Sequence, residues 1–155
     1  MIEERIAELG LELPSPPKPV GAYVPVVVEG NMVYVSGQVP FQSGTVPGIF
    51  KGKVTSDVSI ETAQEAARIC TLNALSHIKV ALGELDRVKK FIRFSGYVNS
   101  DPSFTDQPKV LNAASDLLAD IFGDAGKHSR VAIGVSSLPL GSAVEIEFLA
   151  KSDMM

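Results

Sequence analysis

Cysteine is nearly absent from these 155 residues, and Cys70 stands alone. That excludes an intrachain disulfide and any metal site built from several thiolates. Tryptophan is missing, and aromatics make up only 6% of the chain, too little for a base-stacking platform. The two histidines, His77 and His128, lie far apart and show no metal-ligand spacing. Fourteen basic residues face eighteen acidic ones, for a net charge of −4. The basic residues are spread out, so nothing advertises nucleic-acid binding. No apolar run approaches the roughly 20 residues a membrane helix needs. The opening "MIEERIAELG" is acidic and amphipathic, unlike a secretory signal. A Ser-His-Asp arrangement, a phosphate loop and a dinucleotide fingerprint are also missing. The expectation is a soluble cytoplasmic protein, one domain over 1–155, with no metal and no cofactor. Its chemistry would then rest on Arg, Glu, Tyr and backbone groups.

What is present is a clear succession of periods. Ile2, Ile6 and Leu9 have helical spacing, and "PSPPKP" (14–19) makes a stiff extended connector. Residues 23–40, "YVPVVVEGNMVYVSGQVP", read as two strands about a tight turn at Gly30-Asn31. Residues 41–53 read as an irregular loop. Ser59 is a good N-cap for a helix over 60–82, whose apolar face is Ile60, Ala63, Ala67, Cys70, Ala74 and Ile78. Gly83 stops it. A strand follows over 87–98, with Val88, Lys90, Ile92 and Phe94 on one face and Phe91, Arg93, Ser95 and Tyr97 on the other. Ser103 and Asp106 have capping-box spacing before a helix over 107–122. Strands over 130–136 and 143–150, joined by "SLPLGS", close the chain as a hairpin. The order β-β, α, β, α, β-β predicts an α+β sandwich with two long helices on one face of a sheet. The other face needs a cover, and a partner subunit is the expected one.

Polar residues in the strand-like segments are the candidates for chemistry. Arg130 heads an apolar run. It is either an edge arginine with its head in water or a rigid two-pronged anchor for a carboxylate. Alternation puts Arg130, Ala132 and Gly134 on one face and Val131, Ile133 and Val135 on the other. The small neighbours leave room beside the guanidinium. Glu145 and Glu147 share a face of the last strand. They are either solvated or, for one of them, an acid/base on a bound water. Tyr23 begins a strand and fits a rim position. In Ser36-Gly37-Gln38, the glycine allows close backbone approach. Asn112 lies inside a helix, where asparagine is a poor former, and is either idle at the surface or near the site. Cys70 reads as an inert core residue and His77 as a helix-surface one. His128 reads as a loop residue without an orienting partner.

Two motifs carry a resemblance. "GAYVPVVVEGNMVYVSGQVP" matches G-x-Y followed by G-N-x-x-x-x-S-G-Q-x-P, and "SRVAIGVSSLPLGSAVEIEFLA" joins an arginine, a short strand, L-P and a V-E-I-E run. Together they resemble the RidA/YjgF family, also labelled endoribonuclease L-PSP, in a longer-chain branch with an N-terminal helix. The resemblance implies a chorismate-mutase-like α+β fold with a mixed sheet, assembled as a homotrimer with sites in clefts between subunits. It implies hydrolysis of enamines and imines derived from amino acids, to a 2-oxo acid and ammonia. By motif position, Arg130 corresponds to the carboxylate anchor and Glu145 to the residue that activates water. Tyr23, Ser36, Gly37 and Asn112 correspond to cleft-lining positions. Ala132 stands where many members have cysteine. The implied partners are a small carboxylate-bearing metabolite and the chain itself, with neither nucleic acid nor membrane. A binding protein for small carboxylates, without chemistry, is the alternative reading. A ribonuclease is a further one, disfavoured by the acidic balance and the lack of a His/Lys cluster.

Overall fold

The computed structural model describes residues 1–19 and 21–153. Helix α1 covers Ile2–Glu8. Strands β1 (Val26–Glu29) and β2 (Met32–Gln38) pair antiparallel, with Glu29 opposite Met32. Gly30 and Asn31 are therefore the two turn residues, as expected. Gly30 takes φ +59, the left-handed value that such a turn requires.

Helix α2 spans Ile60–Leu82. Ser59 accepts a hydrogen bond from the Thr62 amide at 3.1 Å, which satisfies one of the free donors of the first turn. Gly83 closes the helix at φ +90. Ala63, Ala67, Cys70, Ala74 and Ile78 are all buried, so small side chains bring this helix close to the sheet. His77 departs from its expected surface position and is only 6% exposed. The proline segment explains the difference. It runs across α2, where Ser76 Oγ donates to the Pro14 carbonyl at 2.7 Å, and Pro17 to Pro19 border the same recess as His77.

Strand β3 covers Val88–Asn99. Irregularities between Val88 and Lys90 and between Phe91 and Arg93 reset its alternation. Phe91 and Phe94, expected on opposite faces, are consequently both fully buried. They pack edge-on against Phe148 at centroid distances of 5.8 and 5.2 Å. Helix α3 spans Gln107–Phe122, with Asp106 at its N-cap and no side-chain capping bond. The capping box expected at Ser103 and Asp106 does not form, because Ser103 lies three residues outside the cap.

Strands β4 (Ser129–Val135) and β5 (Val144–Ser152) complete a mixed five-stranded sheet of order β1-β2-β5-β3-β4. Here the expected terminal hairpin is overturned. β4 lies parallel to β3, and β3 separates it from β5. Helix α3 carries the chain back between two parallel strands, as such pairs require. The link 136–143 then passes to the other side of β3.

Helices α2 and α3 pack together and against the same face of the sheet. Val33, Val35, Phe94, Val98, Val144, Ile146 and Phe148 face them and are buried. Each such side chain contributes roughly 1.5–3 kcal/mol of hydrophobic stabilisation. Among the described residues no helix covers the opposite face. There Val27, Tyr34 and Ile133 remain 48%, 50% and 43% exposed.

Candidate functional site

Arg130 lies opposite Phe94 on β4, the edge strand beneath α3. Its phase is the expected one: Ala132 and Gly134 follow it on the helix side, opposite Gly96 and Val98. The guanidinium is half-buried, and its NH1 donates to Asn112 Oδ1 at 2.9 Å and to Ser115 Oγ at 3.1 Å. Asn112 and Ser115 are three residues apart on α3 and so share one face. Both acceptors are neutral. Among the described residues no carboxylate forms an ion pair with Arg130. The result is an aimed cation without a counter-charge, which is what binds an external anion. Ser115 did not emerge from the sequence. Its only signal was a hydroxyl one helical turn after Asn112.

Glu145 belongs to the other side of the sheet. It pairs with Tyr97 of β3, and its backbone neighbours Val144 and Ile146 turn toward the helices. The carboxyl is half-buried. Burial, and secondarily the charge of Glu147, push its pKa above the ordinary glutamate range. That suits a group that must hold and release a proton. Gly37 is the reason the carboxyl fits, since a Cβ at that position would fall on Glu145 Oε1. Glu147, further along the same face, accepts a hydrogen bond from Tyr97 Oη at 3.0 Å.

The remaining candidates divide between these places. Tyr23 is half exposed and borders, with Gly37, Gln38 and His77, a recess of about 30 Å³. Ser36 Oγ donates to the Val24 carbonyl at 2.8 Å. It lines a depression of about 360 Å³ on the uncovered face with Tyr34, Arg93 and Glu147. Ala132 and Asn112 stay with Arg130. One chain therefore builds two half-sites, an Arg130 group under α3 and a Gly37–Glu145 group on the bare face. In a single chain Arg130 and Glu145 do not meet. A whole strand separates theirs, which is about 10 Å, and they point in opposite directions. The larger cavity of about 900 Å³, between the proline segment and α2, holds none of these residues.

His128, for which the sequence offers no orienting partner, has two. Its ring stacks on Phe94 at 5.0 Å between centroids, and Nδ1 lies 3.0 Å from the Ser129 carbonyl. Burial first, then the nearby Arg130 and Lys90, lower its pKa.

Comparison with known proteins shows the family. Residues 3–152 match the family model described as "YjgF/chorismate_mutase-like, putative endoribonuclease". Protein TCP17 of Trypanosoma cruzi is 40% identical over 97% of this chain and 93% of its own length. The crystal structure of the Agrobacterium tumefaciens protein Atu1372, of unknown function, superposes with a TM-score of 0.90 at 41% identity, covering 98% of this chain and 92% of that one. A 2-iminobutanoate/2-iminopropanoate deaminase of Dermatophagoides farinae is 28% identical over 88% of this chain and 91% of its own. With its mixed sheet, its two long helices on one face and a family match that runs nearly end to end, the chain belongs to the YjgF/chorismate mutase-like family.

Proposed function

We propose that this protein hydrolyses 2-imino acids to 2-oxo acids and ammonia, as a homotrimer, in clefts where Arg130 of one subunit meets Glu145 of the next. The observation that carries the reading is Arg130 itself: oriented by Asn112 and Ser115, half-buried, and lacking a protein counter-ion among the described residues. The deaminase name of the Dermatophagoides farinae relative supplies the substrate class. A 2-imino acid offers a carboxylate to the guanidinium, and its protonated imine carbon is already electrophilic. Water attacks that carbon while Glu145 takes a proton. Return of the proton to nitrogen makes ammonia a leaving group. Tyr23, Ser36, Gly37 and Ala132 shape the walls. The uncovered sheet face, with Val27, Tyr34 and Ile133 on it, is the surface on which neighbouring copies pack.

A charge-assisted contact of this kind contributes about 1.5–3 kcal/mol, so Arg130→Ala should weaken 2-oxobutanoate binding about 10–100-fold. Glu145→Ala should spare that binding and abolish ammonia release from freshly generated 2-iminobutanoate. Unchanged release in both variants rejects the deaminase. Two half-sites facing opposite ways favour one rival, a carboxylate-binding protein without chemistry. Calorimetric binding of 2-oxobutanoate with no ammonia release from any 2-imino acid would select it.

A further inference from the structure

We propose that His128 is the proton carrier of the site that Arg130 anchors; the role rests on the deaminase reading above. His128 lies just before β4, two residues ahead of Arg130, and its stack on the buried Phe94 puts it on the helix side of the sheet with Arg130. Their Cα atoms are about 7 Å apart along an extended chain. The imidazole lies on Phe94, with 28° between the ring planes. Phe94 is also Arg130's partner across β3–β4. A buried ring thus holds the imidazole beside the guanidinium. One small molecule, bound through its carboxylate to Arg130, can place its reacting carbon within reach of His128.

The tautomer follows from the backbone. A carbonyl only accepts hydrogen bonds, so Nδ1, at 3.0 Å from the Ser129 oxygen, carries the hydrogen. Nε2 then bears the lone pair, and it has no hydrogen-bond partner among the described residues. The charged groups around the ring are cationic: Arg130 on β4 and Lys90 on β3. Lys90 reaches the Asp124 carbonyl at 2.9 Å, and the Asp124 carboxylate is held by Lys127 at 2.9 Å. Among the described residues no carboxylate is hydrogen-bonded to the imidazole. Together with burial this keeps the ring neutral near pH 7, with Nε2 free to accept.

The step it fills comes after water addition. The intermediate carries a hydroxyl and a protonated amine on one carbon. Nε2 takes the hydroxyl proton, the O–H pair becomes the C=O bond, and the C–N pair leaves with ammonia. The imidazolium then gives its proton to that ammonia, releasing ammonium and restoring neutral His128. Glu145, from the neighbouring subunit, acts earlier, on water. Arg130 and His128 come from the same chain.

The test compares wild-type protein with His128→Gln and His128→Phe. Glutamine keeps a polar side chain and phenylalanine keeps the stack on Phe94; neither takes up and releases a proton near neutral pH. Both should lower kcat for 2-iminobutanoate about 10²–10⁴-fold. KM and the calorimetric affinity for 2-oxobutanoate should change less than about twofold. In the wild type kcat/KM should fall as pH drops below His128's ordinary value of 6.5, because protonated Nε2 cannot accept. That limb should vanish in both variants and persist in a variant that keeps His128. An active wild type matched by both variants, with the limb retained, overturns the carrier alone. A wild type that hydrolyses no 2-imino acid overturns the deaminase reading and the carrier with it.

Discussion

At the scale of single residues, the close contact between Gly37 and Glu145 joins two of the candidate site residues. The backbone at Gly37 approaches the carboxyl so closely that any side chain there displaces it. Gly37→Ala should cost less than about 1 kcal/mol, because the clashing Oε1 is the far end of a flexible side chain that can swing aside. The cost should shrink in a Glu145→Ala background, because the clashing atoms are then gone. Urea unfolding of the four proteins in that double-mutant cycle checks the coupling; an equal cost in both backgrounds removes the contact as the cause. The glycine was legible as a place for close approach, but what approaches it was not. The same holds for Arg130. Its small neighbours Ala132 and Gly134 follow from alternation alone. The clamp from Asn112 and Ser115 needs α3 laid against the strand, and the stack of His128 needs Phe94 beneath it.

At the scale of elements, local chemistry was a good guide where the chain satisfies its own backbone. Ser59 caps α2 through a bond within one turn of chain, and Gly30-Asn31 closes a hairpin by its own dihedral angles. Ser59→Ala should lower stability by about 1 kcal/mol. It should move the urea midpoint and leave the slope unchanged; an unmoved midpoint rejects the cap. Local reasoning failed where an element is governed by distant ones. The irregularities in β3 turn Phe91 to the same side as Phe94 because both rings pack against Phe148, more than fifty residues later. His77 is buried because the proline segment, sixty residues earlier, crosses its helix.

At the scale of the whole molecule, the decisive fact is that the sheet has two unlike faces. One carries the helices and Arg130; the other is bare and carries Glu145. The proposed catalysis therefore requires assembly. Ile133 projects from β4 on the bare side and is 43% exposed. Ile133→Lys should shift the protein toward monomer in size-exclusion chromatography with light scattering, and ammonia release should fall in step. A wild-type monomer at micromolar concentration, or full activity in a monomeric variant, rejects the shared cleft.

The sequence alone determined what depends on neighbours along the chain: the helix limits at Ser59 and Gly83, the turn at Gly30, the alternation of β4, and the two motifs that mark the family. Period, dihedral preference and capping act over a few residues and can be read without a fold. Only the tertiary structure decided which strands adjoin and which way each polar side chain faces. The expected hairpin of β4 and β5 was a natural reading of a short link, yet β3 lies between them because its parallel pairing with β4 and antiparallel pairing with β5 bury Phe94, Ile146 and Phe148 together under the helices. That insertion sets Arg130 and Glu145 two strands apart, and the register, Arg130 opposite Phe94 and Glu145 opposite Tyr97, turns them to opposite faces. Strand order is set by which core buries the most apolar surface, a property of the whole chain that no local pattern carries.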